Sequence, residues 1–268
     1  MAYEFISMEI TDGVGIIWLN RPPANSLNRE VVEELARAFD ELHHDDSAKV
    51  LVIASKVPGF FVAGADIKMF AAMNPDQARE IAARLQAVNQ KLEEMPKLTI
   101  AAVGGYALGG GLELALACDF RFMAASVTIK DQEKIPTIGL PETTLGILPG
   151  AGGTQRLSRL LGPKKALYYI ATATQIKPDE ALQLGLVEKV FPGDQLLAET
   201  LKFARQMAKK AVVGIGWAKK AIYQGFNREM SAGLQLECDA FKEAFGSRDA
   251  KEGLQAFLEK RKPEFTGK

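Results

Sequence analysis

Apolar positions along the chain fall into two alternating rhythms. Val14-Gly15-Ile16-Ile17-Trp18-Leu19 predicts a short strand, and from Asn28 to Leu42 the residues Val31, Leu35, Ala38, Phe39 and Leu42 share one helical face. Val50-Leu51-Val52-Ile53-Ala54 is apolar without a break, as expected of a strand covered on both faces. Asn74-Pro75 opens a helix with a cap residue and a first-turn proline, after which Ala78, Ile81, Leu85, Val88, Leu92 and Met95 keep helical spacing. Leu98 to Val103 predicts another buried strand, and Gly111 to Cys118 a nearly all-apolar helix. This alternation predicts an α/β core. Beyond Gly162 helical patterns dominate, over residues 178–184, 196–209, 215–226 and 233–245, with Pro192-Gly193 as a hinge. The expected division is a core over residues 1–192 and a helical region over 193–268.

Composition narrows the class. With 268 residues, 47% of them hydrophobic, the chain can bury a substantial core, and 33 basic against 33 acidic residues advertise no polyanionic partner. The start, Met1-Ala2-Tyr3-Glu4-Phe5, has neither the basic, apolar pattern of a signal peptide nor transit-peptide character. The most apolar stretch, Leu98 to Cys118, is broken by five glycines and carries Glu113, so no membrane span is expected. Cys118 and Cys238 match no metal or redox spacing, which points to structural thiols in a reducing, cytoplasmic setting. No metal cluster and no Ser/His/Asp set is expected. His43 and His44 close a helix before Asp45-Asp46, and Lys209-Lys210 and Lys219-Lys220 read as solvated helix faces.

Two glutamates framed by glycines are the strongest chemical signal. Glu113 follows Gly109-Gly110-Gly111 and opens an otherwise apolar helix, and Glu142 precedes the Pro149-Gly150-Ala151-Gly152-Gly153 loop. A glycine-led helix start exposes backbone N–H groups at the positive end of the helix dipole, where an anionic oxygen is favoured. Acids in a first helical turn are stabilised there without any catalytic task, and triple glycine also serves tight packing. A lone charge on a buried helix, however, is costly unless it has a partner or a task.

Ala63-Gly64-Ala65-Asp66-Ile67-Lys68, Gly105 to Ala115, and Leu140-Pro141-Glu142 followed by Pro149 to Leu157 together resemble the signature segments of the enoyl-CoA hydratase (crotonase) family. The similarity extends from Asn25-Ser26-Leu27-Asn28 to Phe257 through Lys262. The resemblance implies a ClpP/crotonase spiral of ββα units with a C-terminal helical trimerisation region, assembling as a homotrimer or a dimer of trimers. It implies an acyl-CoA thioester as substrate, with coenzyme A arriving as part of it and no permanently bound cofactor. The N–H groups of Ala65 and Gly110 correspond to the oxyanion hole, Glu142 to the main acid/base and Glu113 to the group that holds the attacking water, with Gly150 orienting that water. The segment Ala63, Asp66, Ile67 and Lys68 corresponds to the cover over the adenine end of the nucleotide, which Phe241 and Lys260 meet from a neighbouring subunit.

The chain departs from the family pattern in one place: residues 126–138 make the connection to Glu142 several residues longer than usual, which also leaves Glu133 as a rival for the acid. The extra loop is expected to narrow the acyl tunnel or to alter a subunit contact. Alternatives to hydration are double-bond isomerisation, a specialised dehydration, and RNA binding through the first helix. That helix carries Glu30, Glu33, Glu34, Asp40 and Glu41 against Arg29 and Arg37, which repels phosphate.

Overall fold

A computed structural model describes residues 2–268. The chain opens with a hairpin, β1 (Ile6–Thr11) and β2 (Val14–Leu19), followed by α1 (Arg29–His44), capped by the Asn28 side chain accepting from the Val31 N–H. Next come β3 (Val50–Ser55), β4 (Gly59–Val62), α2 (Ile67–Ala71) and α3 (Pro75–Glu94), the last started by an Asn74–Gln77 capping box. Then follow β5 (Leu98–Val103), β6 (Gly105–Leu108), α4 (Gly110–Ala117), β7 (Phe120–Ala124), a short hairpin of β8 (Val127–Ile129) and β9 (Gln132–Lys134), and β10 (Ile138–Gly139). A 3-10 turn over Pro141–Leu145 leads to α5 (Gly153–Leu161), α6 (Pro163–Thr172), α7 (Pro178–Leu184) and β11 (Lys189–Phe191). Four helices finish the chain: α8 (Leu196–Ala208), α9 (Val212–Gly225), α10 (Met230–Phe245) and α11 (Arg248–Leu258).

The strands separate into a large sheet, ordered β1-β2-β3-β5-β7-β11, and a small parallel sheet, ordered β10-β6-β4. Successive pairs deal one strand to each sheet: β3 and β4, β5 and β6, β7 and β10. Each pair is followed by helix, which makes the ββα spiral. Apart from the β1–β2 hairpin the large sheet is parallel, and both its faces are covered. On β3, Leu51 and Ile53 enter the main core with α1 and α3, whereas Val50, Val52 and Ala54 enter a second core closed by Leu196, Ala204 and Ala208 of α8. The period-two alternation of a strand thus explains its unbroken apolar run.

Three features differ from the expectations. The strands β4 and β6 are absent from the sequence-based elements, because four residues are too short to show a period. The division at residue 192 separates α8 from the sheet it covers, where Phe203 packs edge-on against Phe120 and Phe122 at 5.9 and 5.2 Å. The helices that leave the core begin only after Ala208. The extra residues before Glu142 form the β8–β9 hairpin, turned by Lys130 and Asp131 at positive φ. Its Ile129 side chain fills the space beside Gly59, which has φ +78° and where even a Cβ would come within 2.4 Å. The hairpin therefore sits at the start of β4, the opposite end of that strand from Ala63 and Ala65.

The α9 helix is tied to the core by Lys219, whose side chain is 4% exposed. Its ammonium donates to the Leu92 and Lys97 carbonyls at 2.7 and 3.0 Å and meets Asp119 at 2.9 Å. The sequence reading of Lys219 as a solvated lysine is thus incorrect: long aliphatic stems let lysines reach buried carbonyls, and no periodicity reveals it. Lys219→Met leaves the buried Asp119 carboxylate short of its counter-charge and is expected to cost about 3 kcal/mol in urea unfolding.

Candidate active site

The site forms where the small sheet ends. Gly64 presents its carbonyl to the Leu27 N–H at 2.8 Å, and the Asp66 N–H donates to the Leu27 carbonyl at 2.8 Å. This single parallel bridge pins Ala65 opposite Leu27 and turns the Ala65 N–H the other way. Across from it, Gly109 takes φ +51° and ψ −125°, so that the chain turns from β6 into α4. A Cβ on Gly109 would stand 2.8 Å from Glu142 Oε1, and one on Gly110 would stand 3.9 Å from the Ala65 nitrogen. Gly110 is the first residue of α4, so its N–H has no partner inside the helix. Among the described residues, the N–H groups of Ala65 and Gly110 have no protein acceptor. Two unengaged donors thus lie side by side at a helix start.

Glu113 is 2% exposed in the first turn of α4. Its Oε1 accepts from the Ala151 and Gly153 N–H groups, each at 2.7 Å. Burial raises its pKa, and those two N–H groups with the nearby Arg156 oppose the rise. Glu142 occupies the 3-10 turn, where its Oε2 is buried without a hydrogen-bond partner. Its pKa is pushed up to about 7, chiefly by burial and further by the Glu113 charge, against a backbone hydrogen bond that lowers it. The two carboxylates therefore converge on one place with different environments, one clamped by donors and the other half-desolvated. Glu133 lies in solvent on β9, opposite Thr128, and does not join them.

The other predicted residues divide. The Gly150 carbonyl accepts from Gln86 Nε2 at 2.8 Å, while its N–H has no protein acceptor among the described residues. Ala63 donates to the Ala24 carbonyl at 3.0 Å, holding the loop against the Arg21–Leu27 segment. Asp66 is taken up by its own fold: it caps α2 through the Lys68 N–H at 3.2 Å and pairs with Arg21 at 3.1 Å. Ile67 and Lys68 point outward, and Lys68 joins Arg21 and Phe5 around a hollow of about 480 Å³ beside the loop. Phe241 on α10 is 68% exposed and Lys260 follows α11; within one chain, no hydrogen bond, ion pair or ring contact among the described residues links either to that loop. A cavity of about 1360 Å³ is lined by neither glutamate; it lies behind the Leu148–Gly152 segment, between α3, α5 and α9. Sequence reasoning missed Gln86, Asn89 and Arg156, which grip the glycine loop from behind; of the three, Asn89 alone leaves a signal, as a polar residue on the apolar stripe of α3.

This geometry can be set beside known proteins. The sequence pattern described as enoyl-CoA hydratase/isomerase matches residues 9–268. The chain belongs to that family. It is similar to a crotonyl-CoA hydratase of Syntrophomonas wolfei, at 40% identity over the full length of both chains. A short-chain-enoyl-CoA hydratase of Clostridium acetobutylicum is 37% identical over 98% of each chain. Among solved structures, an enoyl-CoA hydratase from Bacillus anthracis superposes with a TM-score of 0.91 at 39% identity, covering 99% of this chain and 100% of that one. The fold is that of the crotonase family. Among the described residues no helix is long and apolar enough to cross a membrane, and no group of three or more His, Cys, Asp and Glu side chains could hold a metal ion.

Because burial raises the Glu142 pKa, its carboxyl holds a proton in the folded chain over a range where the unfolded chain has released it. Stability therefore falls as pH rises from about 4.5 to about 7, and the penalty is complete above that. Glu142→Gln removes the penalty. Chemical unfolding at pH 8 is expected to show the variant more stable by about 1–3 kcal/mol, with the difference vanishing below pH 4.5.

Proposed function

We propose that this protein adds water across the α,β double bond of a 2-enoyl-CoA thioester to give the 3-hydroxyacyl-CoA, as in fatty-acid β-oxidation. The observation that carries this reading is the convergence of two unlike carboxylates beside two unengaged N–H groups. In this reading the thioester oxygen takes the place between the Ala65 and Gly110 N–H groups, an oxyanion hole that acts as charge moves onto that oxygen. The water sits between Glu113 and Glu142. Glu113, its own carboxylate fixed by Ala151 and Gly153, holds and polarises the water, and the Gly150 N–H helps orient it.

Glu142 does the proton transfer. As the water oxygen bonds to the β-carbon, Glu142 gives its proton to the α-carbon, and the proton released by the water returns to the carboxylate pair. A pKa near 7 lets the group both give and take that proton at neutral pH. Double-bond isomerisation only moves a proton between carbons and has no use for a second carboxylate gripping a water. Phosphate binding by α1 is opposed by its acidic face, where Glu33 pairs with Arg29 and Arg84, and Asp40 with Lys91.

The nucleotide end is assigned to the Ala63–Lys68 loop, with Ile67 and Lys68 facing outward and Asp66 supporting the loop. Coenzyme A enters only with the substrate. Phe241 and Lys260 reach a nucleotide only across a subunit boundary, and the exposed Phe226, Phe245, Phe257 and Leu258 supply an apolar helical surface for such an assembly. The family resemblance gives this assembly as a homotrimer, or two paired. Cytoplasmic location suits the two free thiols, Cys118 buried and Cys238 exposed.

Loss of the enoyl-thioester absorbance with crotonyl-CoA tests the chemistry. Wild type is expected to turn over rapidly, and Glu142→Gln and Glu113→Gln each to lose about 10²–10⁴-fold in kcat. An inactive wild type, or an unimpaired Glu142→Gln, overturns the assignment. Sedimentation velocity tests the assembly: wild type is expected as a trimer or hexamer, and Phe257→Asp combined with Leu258→Asp as a monomer.

A further inference from the structure

We infer that Gln86 and Asn89, two amides one turn apart on α3, are positioning residues for Glu113, acting through the glycine loop without touching the carboxylate. The inference rests on Glu113 being part of the hydration site proposed above. The loop is gripped on both edges. In front, the Ala151 and Gly153 N–H groups donate to Glu113 Oε1 at 2.7 Å each. Behind, Gln86 Nε2 donates to the Gly150 carbonyl at 2.8 Å and Asn89 Nδ2 to the Ala151 carbonyl at 3.0 Å. Neither amide faces the catalytic side.

The Gly150–Ala151 peptide shows how the grip is transmitted. Its carbonyl accepts from Gln86 while its N–H donates to Glu113, so one planar amide is polarised from both ends and its donor is strengthened. The next carbonyl, Ala151, takes two donors: Asn89, and Arg156 Nη1 at 3.1 Å. Arg156 is in turn held by both carboxylate oxygens of Glu93, at 2.8 and 3.1 Å. With consecutive carbonyls held from behind, the peptides cannot rotate to release Glu113 without breaking several bonds.

Core packing alone does not account for Asn89. It is 4% exposed on a stripe otherwise made of Ile81, Leu85, Val88 and Leu92, where an amide is costly unless bonded. Gln86 is exposed, so its contribution to the fold is small, yet it holds the peptide that donates to Glu113. Displacing a catalytic group by about 1 Å costs roughly a hundredfold in rate, so a loosened loop is felt in turnover before it is felt in folding.

Gln86→Met keeps the side-chain length and removes the donor. It is expected to lower kcat roughly tenfold with KM within about twofold and an unchanged melting temperature, and to move the acid limb of the kcat–pH profile upward as the Ala151 N–H weakens. Asn89→Leu is expected to lower kcat in the same way, and its melting temperature reports any folding defect. Gln90→Ala, on the same helix but bonded only to Glu94, is expected to behave as wild type. The deciding measurement is a double-mutant cycle: in a Glu113→Gln background the effect of Gln86→Met is expected to fall below about twofold. An unaltered kcat in Gln86→Met, or an equal loss in both backgrounds, overturns the inference. Wild-type turnover in Glu113→Gln alone instead overturns the site reading on which it stands.

Discussion

The structure is organised around the burial of one carboxylate. Glu113 is almost without solvent, on a helix whose other residues are small or apolar, and an uncompensated charge there would outweigh most of the packing around it. The compensation comes from the Pro149–Gly153 loop, which turns two N–H groups onto a single oxygen. The second of those groups begins α5, so the start of that helix faces the charge as well. The glycines of the loop, the amides of α3 behind it and the Arg156–Glu93 pair all serve that one contact.

The neighbouring acid lacks such a clamp. Glu142 has a buried oxygen with no donor, and its affinity for a proton rises until it is half charged near neutral pH. Two chemically identical side chains thus meet different surroundings: one is clamped by two N–H groups, the other keeps a buried oxygen without a donor. The distinction depends on the supply of backbone N–H groups to each. Gly109 permits it, because only a residue without a Cβ lets the Glu142 carboxylate lie against the turn into α4.

The ββα spiral places these loops together. Parallel strands of the small sheet all end on one side, and the segments leaving β4, β6 and β10 supply Ala65, Gly110 and Glu142 in turn. Additions at the other end of the strands leave that side undisturbed. The β8–β9 hairpin is such an addition: Ile129 seats it on Gly59, so the extra residues stay at the far end of β4 and Glu142 keeps its place.

Local signals in the chain were enough for the α/β class, the buried strands, the capped helices and the glycine-framed glutamates, because each depends on a period or a turn chemistry carried by neighbouring residues. Together with the family resemblance they also singled out Ala65, Gly110, Glu113 and Glu142. The short strands β4 and β6, the place of α8 in the core and the buried state of Lys219 depend on contacts between residues tens of positions apart, for which sequence has no period. The same holds for the support of the site. That Asp66 braces its loop through Arg21, that Gln86 and Asn89 hold the glycine loop, and that Glu113 is clamped by two N–H groups while Glu142 keeps a buried oxygen without a donor were decided only by tertiary structure, since hydrogen-bond partners and desolvation exist only once distant segments meet.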